Sequence, residues 1–166
     1  HIETTHRASF SSYDDAWEWS VEHLEEFWGE VWNWFDVITH APYDTVLEER
    51  VMPGASWFPG ARINYAEHIF RALEKHRDRV MVVSRSQTNG SQELTGAELL
   101  EMVARLQQGL RRQGIGPGDR VAAHLPNIPE TLALYLATTS LGALWCVVPP
   151  EMGPQSVVDR LGQMEP

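Results

Sequence analysis

The chain has 166 residues, 43% of them hydrophobic and 22% charged, enough for a globular domain with a real core. Its 13 Lys and Arg stand against 23 Asp and Glu, and the net charge of −10 excludes partners bound through clustered basic residues: nucleic acid and anionic membrane surfaces. No apolar run is as long as a membrane span, HIETTHR lacks the apolar core of a signal peptide, and the single Cys146 excludes an intramolecular disulfide framework and fits a reducing, cytoplasmic compartment.

Two regions differ in character. Residues 1–76 are rich in Trp, with Trp17, Trp19, Trp28, Trp32, Trp34 and Trp57. From Ser20 to Phe35 the spacing predicts a helix, with Leu24, Phe27, Val31 and Phe35 on one side, Trp28 and Trp32 widening that face, and Ser20 as the N-cap. MPGASWFPGA then reads as a loop whose Pro-Gly pairs mark tight turns, and Asn64 to Glu74 as a second helix. No strand period appears, so this region is expected to be a helical extension that packs on something larger.

Residues 77–166 alternate. Val80 to Val83 predicts a buried strand, and Asn89-Gly90 a hairpin turn. Thr95-Gly96-Ala97-Glu98 is a capping box opening a helix with Leu99, Val103, Leu106 and Leu110 on one face, stopped by Gly114. Arg120 to Leu125 is the next strand. Asn127 is the expected cap of a helix from Ile128 to Leu141 that is apolar nearly all round, with Pro129 in its first turn. Leu144 to Val148 is a third strand, and Gln155 to Gln163 begins another helix. This is an α/β pattern: a helical extension, then a β-α-β-α-β run expected to form part of a parallel sheet with helices on both faces. Three strands leave such a sheet open, which calls for a covering segment, a second chain or a homo-oligomer.

The stretch GIGPGDRVAAHLP, residues 114–126, looks like a phosphate-holding loop. Its order is wrong for one, because the glycines precede the strand and do not lead from a strand into a helix. The spacing G-x-G-x-G also departs from G-x-G-x-x-G, and the chain's only lysine, Lys75, lies elsewhere. The stretch reads as a helix-to-strand connection. His23, His40, His68, His76 and His124 are scattered, no H-E-x-x-H occurs, and no metal site is signalled. His124 ends a strand, where catalytic groups collect, though a lone strand-end histidine is more often structural. Cys146 sits mid-strand as an expected inert buried thiol.

WSVEHLEEFWGEVWNWF, MPGASWFPGARINYAEH, GPGDRVAAHLPNIPETLALYLATTSLGALW and DRLGQMEP, taken in order, resemble the opening of the acetoacetyl-CoA synthetases, within the adenylate-forming acyl-CoA ligase family. The resemblance runs from about Tyr13 to Pro166. It implies that 1–76 is the family's N-terminal helical extension and that 77–166 is the first, incomplete α/β segment of the AMP-binding large domain. It implies an activity of the parent enzyme: ATP, acetoacetate and CoA giving AMP, pyrophosphate and acetoacetyl-CoA, with magnesium in attendance. No residue here matches the family's Gly-rich loop ending in Pro-Lys or its catalytic lysine, so no catalytic residue is assigned and the isolated chain is expected to be inactive. Pro149-Pro150-Glu151-Met152-Gly153 stands where the family often has Ser-Pro-Asp-Phe-Gly. The resemblance places that loop near the route of the CoA pantetheine arm and makes Glu151, Met152 and Gly153 the candidate binding residues. The remainder of the ligase, or a second chain, is the partner expected to cover the open sheet. The other reading is a non-catalytic docking or dimerising module derived from such a ligase.

Overall fold

The computed structural model describes residues 1–88 and 90–166; Asn89, half of the Asn89-Gly90 turn signal, lies outside the described residues. The chain divides into two units, His1–Ile63 and Asn64–Pro166. No helix among the described residues is long and apolar enough to cross a membrane.

The first unit holds helices α1 (Ile2–His6), α2 (Tyr13–Glu22) and α3 (Leu24–Trp34). The helix expected from Ser20 onward is therefore two helices, broken at His23, whose φ of −109° and ψ of 56° are not helical. Ser20 is inside α2, its hydroxyl donating to the Trp17 carbonyl at 2.7 Å. The true cap is Ser12, whose hydroxyl accepts from the Asp15 amide while the Asp15 carboxylate takes the Ser12 amide. The apolar spacing runs through the break in phase, so periodicity alone does not reveal it. After α3 the chain folds back on itself without regular strands. The Ala41–Arg62 and Leu47–Trp57 bridges pin it, and Asp44 and Phe58 donate to the Pro59 and Val46 carbonyls, each at 2.9 Å. Trp32 stacks on Phe58 with centroids 4.6 Å apart, Tyr43 meets both rings edge-on, and Trp28 meets Trp57 at 5.9 Å. Within this unit, then, the wide aromatic face of α3 finds partners in the returning loop.

The Ser12 cap makes a pH prediction. Asp15 accepts from the Ser11 hydroxyl at 2.5 Å, from the Ser11 amide at 2.8 Å and from the Ser12 amide at 3.1 Å. These bonds, the Ser11 hydroxyl foremost, lower its pKa from 3.8 to about 2. Because the folded pKa is depressed, the contribution is complete above the ordinary carboxylate value and disappears as pH falls through the folded one. Asp15→Asn should melt below the parent by a constant interval above about pH 5, and that interval should close toward pH 2. An interval that persists to pH 2 would show that the charge is irrelevant.

The second unit contains α4 (Tyr65–Lys75), β1 (Val80–Ser86), β2 (Gly90–Thr95), α5 (Gly96–Arg112), β3 (Arg120–His124), α6 (Pro129–Ser140), β4 (Leu144–Val148) and α7 (Pro154–Gly162). Asn64 caps α4: its side-chain oxygen accepts from the Ala66 amide at 3.0 Å. Its amide nitrogen donates to the Thr139 and Ser140 carbonyls, tying the start of α4 to the end of α6. Thr95 and Glu98 form the expected capping box of α5. Gly114, at φ +86°, lets the Ile115 amide reach back to the Leu110 carbonyl and close the helix. The core is built where α4, α5 and α6 meet, from Ala66, Leu73, Leu99, Val103, Ala133, Leu136 and Ala137. One expectation about α6 needs correction: its N-cap is Ile128, not Asn127, and no side chain caps it; Pro129 occupies the first turn, where a missing N–H is harmless. The helix is otherwise as apolar and enclosed as its sequence suggests, with Pro129, Ala133, Leu136, Ala137 and Thr138 buried and Leu132 exposed at 37%.

The α/β class holds, with a more particular pairing than the alternation suggests. β3 and β4 are parallel, in register from Arg120↔Leu144 to His124↔Val148, joined through α6. β1 does not join them by hydrogen bonds. It pairs antiparallel with β2, from Ser86↔Gly90 to Val80↔Thr95, as a separate two-stranded ribbon. A hairpin partner a few residues away closes at small entropic expense, and the apolar run Val80–Val83 does not by itself specify a neighbour.

Candidate functional site

In a parallel α/β unit, ligands gather beyond the carboxyl ends of the strands. Here those ends are His124 of β3 and Val148 of β4, opposite each other in the ladder. The Leu125 amide adds one more bond, to the Val148 carbonyl at 3.2 Å, before the two chains part toward α6 and α7. On the β4 side the chain makes a tight turn in which the Met152 amide donates to the Pro149 carbonyl at 3.2 Å. That same carbonyl lies 3.2 Å from His124 Nε2. A carbonyl oxygen only accepts, so Nε2 carries the proton and donates. Two features singled out independently in the sequence, the strand-end His124 and the Pro149–Gly153 loop, are thus brought together by the register.

Within the loop, Glu151 is exposed and Met152 half-buried. Gly153 caps α7, and the Val157 amide returns to its carbonyl at 3.1 Å. A Cβ on Gly153 would meet nothing within 4 Å, and its φ of −66° suits any residue. The chain's own packing therefore does not require glycine there; an unhindered backbone is left open to an approaching group. No side chain caps α7, and its first turn carries no acidic residue.

The glycine-rich stretch lies at the opposite, amino end of the strand pair. The Gly114 amide donates to the Arg111 carbonyl at 3.0 Å, the Gly116 amide to the Asp119 carboxylate at 2.7 Å, and the Gly118 amide to the Gly142 carbonyl at 3.0 Å. Each of these N–H groups has a partner, and a carboxylate already occupies the turn, so nothing is left to cradle a phosphate. The Gly142 turn closes against Pro117, 3.3 Å from a built Cβ. Lys75 ends α4, outside that turn. Cys146 is a free, half-buried thiol paired in the ladder with Ala122, more accessible than the buried position expected of it. Among the described residues no group of three His, Cys, Asp or Glu side chains could hold a metal ion. One feature escaped sequence reasoning altogether: an apolar hollow of about 390 Å³ in the first unit, lined by Ile2, Phe10, Val31, Trp34 and Phe35 among others, none of them a candidate residue. Its walls come from separate helices, and no spacing in the chain announces it.

Comparison with known proteins follows this geometry. The family model for AMP-binding enzymes matches residues 69–166, more than half of the chain, and that for the acetyl-coenzyme A synthetase N-terminus matches residues 13–69. The chain belongs to the AMP-binding enzyme family. The two models meet at residue 69, just after the WFPGARINYAEH block. Among its relatives, an acetoacetyl-coenzyme A synthetase from Rhizobium meliloti (strain 1021) is 44% identical over 158 residues, 95% of this chain and 24% of that protein. A malonamoyl-CoA synthetase from Penicillium aethiopicum is 37% identical over 163 residues, 95% of this chain and 22% of that protein. The solved acetoacetyl-CoA synthetase from Streptomyces lividans superposes with a TM-score of 0.90 at 43% identity, covering 96% of this chain and 25% of that one. The chain thus spans about a quarter of the length of these relatives. The likeness to acetoacetyl-CoA synthetases drawn from the motifs stands, and it extends through both units of this family member.

Proposed function

We propose that this chain is part of an acid–thiol ligase that activates acetoacetate with ATP and passes the acyl group to CoA. The observation that carries the reading is the agreement of sequence and fold with an acetoacetyl-CoA synthetase along 96% of the chain. In the reaction a carboxylate oxygen attacks the α-phosphorus of ATP and pyrophosphate leaves, giving an acyl-adenylate. The CoA thiolate then attacks the acyl carbon, and AMP leaves with the bonding electrons. No described residue here is assigned to the phosphorus chemistry.

The part given to this segment is the acceptor side. Glu151, Met152 and Gly153 form the loop past which the pantetheine arm would run. The half-buried Met152 offers that arm a polarisable apolar wall, and the open backbone at Gly153 admits close approach. The docking-module alternative has no comparable support, since the relatives described above are named as synthetases. The ligase reading also supplies a cover for the strand residues Val83, Leu144 and Val147, which are 56%, 49% and 39% exposed here: the remainder of a protein the length of those relatives.

The relatives' names bear on the acid. Acetoacetate and malonamate are both short acids with a carbonyl two carbons from the carboxylate, so the substrate class inferred is the short 3-carbonyl acids. A site that binds that carbonyl by hydrogen bonds discriminates against the analogue lacking it. Thioester formation should be measured with the longest protein that the reading frame encodes. We expect kcat/KM for acetoacetate to exceed that for butyrate by at least about tenfold. Equal use of the two acids would overturn the substrate class.

A further inference from the structure

We infer that His124 is a positioning residue for the acceptor loop: its Nε2–H holds the Pro149 carbonyl and thereby sets the turn that presents Met152 and Gly153. The inference rests on the acceptor role proposed for that loop. Its geometry stands independently.

The Pro149 carbonyl is the hinge point of the loop. It is the first group after β4, and it receives two hydrogen bonds, one from the Met152 amide that closes the turn and one from His124. These two donors match the oxygen's two lone pairs. The His124 bond is also the only side-chain bond described for this turn that reaches another strand, spanning 25 residues of sequence. The ladder puts it there: His124 is opposite Val148, and the Leu125 amide holds the Val148 carbonyl on the other side of the same residue pair. A clasp of backbone and imidazole therefore joins the end of β3 to the start of the loop. Glu151 is exposed and makes no described side-chain bond that would order the turn instead. The contact is exposed, so with an apolar or purely accepting side chain at residue 124 water would take the carbonyl's second lone pair, but water does not tie that carbonyl to β3 and the turn would lose its hold on the strand.

His124→Phe keeps a planar ring and removes the donor, and His124→Gln restores an N–H on a flexible stem. In the 166-residue chain, amide hydrogen exchange should quicken at Met152 about three- to tenfold in His124→Phe, the loss of one modest hydrogen bond, and return toward the parent rate in His124→Gln. Exchange at Leu136 in the core reports whether the variant is folded. Unchanged exchange at Met152 in a folded His124→Phe chain would overturn the inference. So would quicker exchange in His124→Gln matching that of His124→Phe, because a donor would then be irrelevant. In the longest protein the reading frame encodes, the KM for CoA should rise several-fold relative to the KM for acetoacetate, again with recovery in His124→Gln. A change at Met152 with no change in the KM for CoA would overturn the role in acceptor binding. Failure of the parent enzyme to use acetoacetate at all would instead overturn the proposed function, leaving the hydrogen-exchange result to judge His124's hold on the loop.

Discussion

Leu136→Ala is expected to destabilise the Asn64–Pro166 unit by about 3 kcal/mol or more, through the lost transfer energy of the side chain and the cavity left behind. Leu136 is 2% exposed and belongs to the cluster formed by Ala66 and Leu73 of α4, Leu99 and Val103 of α5, and Ala133 and Ala137 of α6 itself. Four of those neighbours are either alanines or the short Val103, close-packed against helix backbones. Such a site cannot refill the space by moving one flexible side chain. Leu132 lies one turn earlier on the same helix but is 37% exposed, so Leu132→Ala should lose under about 1 kcal/mol. Denaturant titration followed by circular dichroism measures both. A Leu136→Ala midpoint no lower than that of Leu132→Ala would show that the three-helix cluster is not the core.

Gly96→Ala should also destabilise, by about 2 kcal/mol, although alanine is the better helix former by about 1 kcal/mol. Gly96 opens α5, with its amide donating to the Arg79 carbonyl at 3.0 Å. A Cβ there would lie 2.8 Å from the carbonyl oxygens of both Leu73 and His76, with the Arg77 Cα 3.3 Å away. All three are backbone atoms at the end of α4, and none can swing aside. The whole α4–α5 junction would have to shift. Gly109 is the internal control: it lies in the same helix with nothing within 4 Å of its built Cβ. Gly109→Ala should therefore stabilise by about 0.5–1 kcal/mol, the ordinary helix propensity gain. Opposite signs for the two substitutions are the expected result. A gain in both would mean that α4 and α5 do not approach as closely as the structure has them.

How much of this was legible beforehand depended on how local the determinant was. The Thr95–Glu98 box and the Gly114 stop each involve groups within a few residues of one another, and the chain announces them; Asn64, read as the first residue of its helix, is instead the cap of α4. The Ser12 cap was missed because its third-position acid is Asp15, not Glu or Gln, and because the in-phase apolar spacing suggested a start at Ser20. Asn127 looked like a cap by residue type, but the helix begins one residue later, where Pro129 sets the first turn. A hairpin after β1 was signalled by Asn89-Gly90, but its separation from the parallel pair was not, since an apolar run fits a hairpin and a parallel sheet equally well. At the site, His124 and the Pro149–Gly153 loop were each visible, one by its place at a strand end and the other by resemblance. Their meeting was not, because it follows from a parallel register between strands about 20 residues apart, a separation over which spacing carries no signal.

Acetoacetate-dependent exchange of pyrophosphate into ATP decides whether this segment serves the proposed acetoacetate-activating ligase and is inactive by itself. The assay should be run side by side on the 166-residue chain and on the longest protein that the reading frame encodes. Exchange by the longer protein should depend on acetoacetate, and the 166-residue chain should show none above a heat-inactivated control. Exchange by the 166-residue chain, or its absence from a longer protein that is folded, would contradict this.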